Sequence, residues 1–214
     1  DRAHAATAYT RRITALVSDL AQSGLEVSHP LLKGREEIRS ATLLVLTANR
    51  GLCGGYNGNV QRVALARWNE FQRDFPEHRL EVSGKRGISF FRFRGITPDA
   101  TYTQFEDRPS FEEVDALAEK YLEAYITGKL DRLDVAYTRF HNVARQEAVI
   151  ETLLPLGSLP TGDTKEQSSG QTMYEFMPSA ESILEEVVPT SFKVRLFKCL
   201  LDAAVSEQVA RMVA

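Results

Sequence analysis

Cys53 has the setting of a nucleophile: a thiol at the end of an apolar run, among Gly51, Gly54, Gly55 and Gly58, where a turn could expose it. A thiol attacks as thiolate, so it needs a base or a positive field beside it. No histidine stands near Cys53 in the sequence, and catalysis by it is not expected. The same glycines raise a second chemistry, phosphate binding by backbone amides. Dinucleotide loops space their glycines G-x-G-x-x-G, and phosphate loops end in Gly-Lys-Ser or Gly-Lys-Thr. Here the spacing is G-x-x-G-G-x-x-G, no lysine falls between Lys33 and Lys85, and Gly84-Lys85 is followed by Arg86. Neither nucleotide fingerprint is satisfied.

Other chemistry is thin. His4, His29, His78 and His141 are scattered without an HxH or HxxxH pair, so no metal site is expected. Cys53 and Cys199 lie far apart with no CxxC, which points to free thiols in a reducing compartment. The acidic pairs Glu36-Glu37, Glu112-Glu113 and Glu185-Glu186 read as solvated faces. Arg86, Arg92 and Arg94 interleave with Phe90, Phe91 and Phe93, a pattern that could stack on RNA. A helix with its aromatics inward and its arginines outward is the expected reading.

Composition narrows the class. The chain has 214 residues, 43% hydrophobic and 26% charged, with a net charge of −3. That is an ordinary globular composition, and the negative balance argues against nucleic acid as a partner. No apolar run approaches the ~20 residues that cross a bilayer, so any membrane association is expected to be indirect.

The elements that must position these residues alternate strand and helix, which predicts an α/β layered domain. Thr42 to Ala48 reads as a strand buried on both faces. Asn57 or Asn59 would cap a helix running to about Phe75, with Val60, Val63, Ala64, Trp68, Phe71 and Phe75 on one face. Leu80 to Ser83 is a short strand. Gly84-Lys85-Arg86-Gly87 leads into a short helix ended by Gly95, and Thr101 to Phe105 is a third strand. Ser110 with Glu113 forms a capping box for a helix whose stripe is Val114, Leu117, Ala118, Tyr121, Leu122 and Tyr125, closed by Gly128. Leu133 to Phe140 and Ala148 to Leu154 read as a hairpin at one end of the sheet. Pro155 to Gly170 is expected to be a mobile loop, and Met173 to Phe176 a short extended segment.

Both ends read as helices with apolar seams. Ala6, Tyr9, Ile13, Leu16 and Leu20 step by three and four until Gly24. Val194, Phe197, Leu201, Ala204, Gln208 and Met212 step likewise. Ser179 would cap the latter region, and Pro189 predicts two helices meeting there. The last residues hold no Gly, Asn or Pro to close a helix, so both ends are expected to be stubs of a longer pair.

Two segments carry a resemblance. Arg50-Gly51-Leu52-Cys53-Gly54-Gly55, with Asn57 and Asn59 behind it, and Ser206-Glu207-Gln208-Val209-Ala210-Arg211-Met212-Val213-Ala214 resemble the signatures of the gamma subunit, the central stalk, of the rotary F-type ATP synthase. His29-Pro30, Gly84 to Phe91, Leu153-Leu154-Pro155 and Tyr174 to Pro178 also fit. The chain departs at Asn49, where the family usually has Asp, and at Arg86, where it usually has Lys.

The resemblance implies a three-layer, Rossmann-like α/β domain with a mostly parallel sheet, flanked by stubs of an antiparallel coiled coil. Residues 1–24 would end the N-terminal shaft helix, 25–178 would form the globular domain, and 179–214 would begin the C-terminal shaft helix. It implies a rotor subunit that couples proton flow through a c-ring to catalysis elsewhere, without cofactor or catalytic residues of its own. Its implied partners are the alpha and beta subunits, the epsilon stalk subunit and the c-ring. Arg50, Gly51, Leu52, Cys53, Gly54, Gly55 and Asn57 would contact the beta subunits, and Tyr9, Ile13, Leu16, Leu20, Phe197, Leu201 and Met212 would form the shaft seam. The implied location is peripheral, on the cytoplasmic face of a bacterial inner membrane. The rival expectation is a free-standing Rossmann-like nucleotide-binding module or enzyme, with its crevice at the carboxyl ends of the strands.

Overall fold

Successive apolar residues of a strand point to opposite faces, so a run such as Leu43-Leu44-Val45-Leu46 needs helices on both sides of its sheet. The computed structural model of the chain, which describes residue 11 and residues 29–105, 108–157 and 180–214, has that arrangement. In order, the elements are β1 (Ser40–Leu46), α1 (Tyr56–Asp74), β2 (Glu77–Ser83), α2 (Lys85–Phe93), β3 (Ala100–Tyr102), α3 (Phe111–Ile126), β4 (Arg132–Asn142), β5 (Arg145–Leu154) and α4 (Ala180–Val213).

The strands lie in the order β3-β2-β1-β4-β5. β1 pairs in parallel with β2 and with β4, and β2 with β3, while β4 and β5 form an antiparallel hairpin at the sheet's end. On one face Leu43, Val45, Leu80, Val82 and Ala136 pack under α1 and α2, against Val60, Trp68, Phe71 and Phe91. On the other face Leu44, Leu46, Val135, Tyr137 and Leu153 pack under α3 and α4, against Tyr121, Tyr125, Phe192, Leu196 and Leu200. The parity of the strand residues thus sorts them into two cores and makes a three-layer α/β domain. At roughly 1.5–3 kcal/mol for each large apolar side chain buried, these two cores supply the main stabilisation.

Local signals set the helices. Ser110 Oγ accepts from the Glu113 amide at 3.2 Å, and the Glu113 carboxylate reaches back to the Ser110 amide, completing the capping box. All six residues of the α3 stripe are buried. Gly95 and Gly128 leave α2 and α3 at positive φ, a conformation that favours glycine.

Four expectations need correction. β1 begins at Ser40 and its ladder stops at Leu46, because Thr47 and Ala48 turn to bond the start of α2. β3 is three residues long, since β2 gives way to α2 at Gly84, whose amide bonds the Tyr102 carbonyl at 2.9 Å. Gly55 rather than Asn57 or Asn59 caps α1, and it does so without a side-chain bond. Pro189 lies inside one 34-residue helix and does not divide it. Pro189 forfeits one amide, but Val188 and Phe192 on either side are fully buried in the core, and that packing carries the helix through it.

The expected N-terminal seam of Tyr9, Ile13, Leu16 and Leu20, most of the 155–170 loop, the segment 173–176 and the Ser179 cap fall outside the described residues.

Candidate functional site: the glycine turn

In a sheet of this order, ligands bind at the carboxyl ends of the strands, at the point between β1 and β4 where the strand order reverses. Beside that point, the ends of β1 and β2 are filled by the chain's own groups. Thr47 Oγ donates to the Ser83 carbonyl at 2.7 Å and accepts from the Gly87 amide at 2.9 Å. The Arg86 amide donates to the Ala48 carbonyl at 3.0 Å. Asn49 accepts from the Lys85 amide at 3.0 Å through Oδ1 and donates to the Thr103 carbonyl at 2.9 Å through Nδ2. The three amides that open α2, the groups a phosphate would need, are therefore all spent.

The close approach depends on Gly84. It sits at φ 98°, and a Cβ there would stand 2.2 Å from the Thr47 carbonyl oxygen. From the opposite side α4 covers the end of β1, leaving a cavity of about 20 Å³ between Thr47, Tyr56, Phe105 and Glu207. One water fits such a volume, whereas small-molecule sites run from about 300 Å³.

The glycine turn stands above this packed end. Leu52 is held at φ 61°, unusual for a residue with a Cβ, and is 89% exposed. Gly54 follows at φ 55°. Arg50, Gly54 and Gly55 are exposed as well, while Cys53 is 2% exposed and points beneath the turn. Asn57 braces it, since its Oδ1 accepts from the Ala48 amide at 2.9 Å and its Nδ2 approaches the Cys53 sulfur at 3.2 Å. Burial and the charge of Glu207 push the Cys53 thiol up in pKa, against Arg211, Asn57 and Arg86. The thiol is thus kept protonated and is a poor nucleophile.

Two arginines from distant elements converge on Gly51. The Arg86 guanidinium lies against it so closely that a Cβ would be 2.5 Å from Nη2. Arg211, 160 residues away, donates from Nη1 to the Gly51 carbonyl at 2.7 Å and from Nη2 to Glu207 at 2.5 Å. Ala210 packs on the small cluster of Ala48, Cys53 and Tyr56. The two signature segments of the sequence therefore meet in one place. Their separation hid this, and no spacing rule pairs residue 51 with residue 211.

Around the turn the surface is basic and partly apolar. No Asp or Glu occurs between Glu37 and Glu70, or between Glu81 and Asp99. Gly51, Leu52, Gly54, Gln61, Arg86 and Phe90 line an open depression of about 460 Å³. The inward-aromatic expectation for α2 holds for Phe91, which is fully buried, and fails for Phe93, which is 89% exposed. Phe90 is half-buried, with Arg94 stacked 3.7 Å from its ring centre. A nine-residue helix has one face for its core, and Phe93 falls on the other.

The side of the last helix that packs on the sheet is a different face from the expected seam. Its buried face is Val188, Phe192, Leu196, Cys199, Leu200 and Ala203, set against the sheet. Phe197 and Leu201 are half-buried at the rim, with Phe197 edge-on to Phe111 at 5.7 Å, and Met212 is exposed. Tyr137 and Arg195 donate to the two oxygens of Glu151 at 2.5 and 2.9 Å, joining the helix to the hairpin. Among the described residues, no cluster of His, Cys, Asp and Glu could hold a metal ion, and no helix is long and apolar enough to cross a membrane.

Comparison with known proteins places this geometry. The sequence matches the family described as ATP synthase over residues 1–214. It is 58% identical to an ATP synthase gamma chain of Rhodopirellula baltica, over 100% of this chain and 73% of that one. It is 36% identical to an ATP synthase gamma chain of Exiguobacterium sibiricum, over 96% of this chain and 70% of that one. Its fold resembles a chain in the Tetrahymena thermophila mitochondrial ATP synthase central stalk and c-ring structure, with a TM-score of 0.57 and 17% identity, covering 100% of this chain and 97% of that one. A chain of the Euglena gracilis mitochondrial ATP synthase rotor aligns with a TM-score of 0.55 and 18% identity, over 99% of this chain and 80% of that one.

Proposed function

The chain belongs to the gamma-chain family of the ATP synthases, and on that premise we propose that it converts ion flow into catalysis by mechanical contact, with no chemistry of its own. As a gamma chain it is a central-stalk, rotor component of a membrane-associated complex. The reading assigns it neither catalytic residue nor cofactor. A proton-driven c-ring turns it, and its asymmetric surface forces the beta subunits through states of different nucleotide affinity. A rotor can do this only by making different contacts in each state. The alpha and epsilon subunits complete its surroundings, and it sits peripherally on the cytoplasmic face of a bacterial membrane.

The observation that carries the reading is whole-chain identity of 58% to a gamma chain, with the two signature segments assembled into one site. Within that site Arg50, Leu52 and Gly54 supply the exposed contact toward the beta subunits. Cys53 and Asn57 support it from below, and Gly51 and Gly55 shape the backbone between them. A basic, partly apolar face suits an acidic partner surface. The half-buried Phe197 and Leu201 and the exposed Met212 of the same last helix belong to the shaft.

The test is ATP-driven rotation of a probe fixed to this chain in the assembled complex. Rotation is expected, and a stationary probe on a complex that hydrolyses ATP would overturn the reading. Arg50→Ala is expected to assemble normally and to lower ATP-driven proton pumping several-fold. Unchanged pumping would remove Arg50 from the contact.

The nucleotide-module alternative finds the amides that open α2 occupied by Thr47, Ala48 and Asn49. Equilibrium dialysis of the chain against adenine nucleotides is expected to show no micromolar binding.

A further inference from the structure

Leu52 holds a left-handed conformation that costs a residue with a Cβ about 1–2 kcal/mol, and such strain persists only where surrounding contacts over-determine it. The contacts at the base of the turn are local. The Tyr56 amide bonds the Cys53 carbonyl at 3.2 Å, and Asn57 ties Ala48 to Cys53. These fix where the turn leaves β1 and enters α1. They leave the Gly51 carbonyl, next to the strained residue, for a tether from elsewhere.

That tether comes from the last turns of α4. We propose that Arg211 is the positioning residue of the glycine turn, clasping it to the helix so that the two move as one body. One guanidinium edge donates to the Gly51 carbonyl, the other to Glu207 one helical turn earlier, so the side chain is held at both ends. Ala210, the residue before it, packs on Ala48, Cys53 and Tyr56 beneath the turn. The helix itself is registered on the sheet lower down, by Ser206 to the Thr138 carbonyl at 3.5 Å and by Arg195 to Glu151 at 2.9 Å. A displacement of the helix is then passed directly to Leu52 and Arg50. The proposal concerns an intramolecular joint and holds whichever partner meets the turn.

The reporter is already present, since Cys53 is buried beneath the turn that the clasp holds and Cys199 lies in the main core. Purified full-length gamma chain is treated with N-ethylmaleimide and the modification of each cysteine is followed by peptide mass spectrometry. Arg211→Gln is expected to raise the Cys53 rate about tenfold, with Cys199 still protected and the helical circular dichroism unchanged. Arg211→Lys, which keeps a donor for one acceptor, is expected to fall between. An unchanged Cys53 rate, or Cys53 and Cys199 rising together, would overturn the proposal. If Arg211→Gln does not fold, Arg211→Lys carries the test alone, with the Glu207 charge that raises the Cys53 thiol left in place. A several-fold rise at Cys53 supports the clasp, and no rise removes it.

Discussion

The β4–β5 hairpin and the glycine turn both gather arginines and use them in opposite ways. In the hairpin the guanidinium groups converge on two carboxylates, one fully buried and one half-buried. Arg67 and Arg132 meet the fully buried Asp134 at 2.8 and 2.9 Å, and Arg139 and Arg195 meet Glu151. At the turn, Arg86 and Arg211 press on the backbone of Gly51, with the Glu207 carboxylate beneath Arg211 and no acid in the sequence between Glu37 and Glu70. Paired buried charges fix a scaffold, because separating them leaves an uncompensated ion in the core. Backbone tethers under an exposed, strained loop hold a shape without neutralising its surface. The first region is built to stay, and the second is built to present Arg50 and Leu52.

The sharpest way to break the contrast is at Asp134. Asp134→Ala leaves Arg67, Arg132 and the Thr152 hydroxyl without their shared acceptor, and is expected to cost about 3–5 kcal/mol in chemical denaturation. A loss below about 1 kcal/mol would mean that the hairpin network is no firmer than the turn. Next comes Gly84→Ala, which drives a Cβ into the Thr47 carbonyl at positive φ and is expected to cost roughly 2–4 kcal/mol. It tests whether the platform below the turn is as rigid as the hairpin.

A smaller effect is read through pH. Burial pushes the Glu151 carboxyl up, but Tyr137, Arg195 and Arg139 outweigh it, so its folded-state pKa lies below the ordinary 4.5. A depressed carboxyl stabilises the fold fully above its unfolded pKa, and that share is lost as pH falls through the folded value. Glu151→Gln is therefore expected to narrow the difference in urea midpoint between pH 7 and pH 3.5. An unchanged pH dependence would show that the hairpin charges do not hold the fold.

The smallest change in stability is expected at the turn. Leu52→Gly removes the left-handed strain but adds chain entropy to the unfolded state, so stability should stay within about 1 kcal/mol of the parent. ATP-driven proton pumping by the assembled complex should nonetheless fall. A variant that is markedly less stable would make Leu52 a packing residue and erase the contrast.

Much of the fold was legible because short-range rules wrote it. The α3 stripe, the Ser110 capping box, the hairpin near Asn142 and the glycine stops at Gly95 and Gly128 depend on neighbours within a few residues. The misreadings came where a distant element overrode a local preference. Pro189 should end a helix, but the core around Val188 and Phe192 holds it inside one. Asn57 should cap α1, but Ala48 at the end of β1 claims its oxygen. Phe93 should face inward, but α2 has room for Phe91 alone at full burial.

For the site the division is the same. The sequence by itself determined that the glycine segment carries neither the dinucleotide nor the phosphate-loop spacing, and that it shares its signature with a rotor family. Tertiary structure alone decided that Cys53 faces inward while Leu52 faces out, and that the amides opening α2 are spent on Thr47, Ala48 and Asn49. It alone brought Arg211 to Gly51. The physical reason is range: caps, stripes and turns are set by contacts a few residues apart, whereas a guanidinium meets a carbonyl 160 residues away only after the sheet has fixed both.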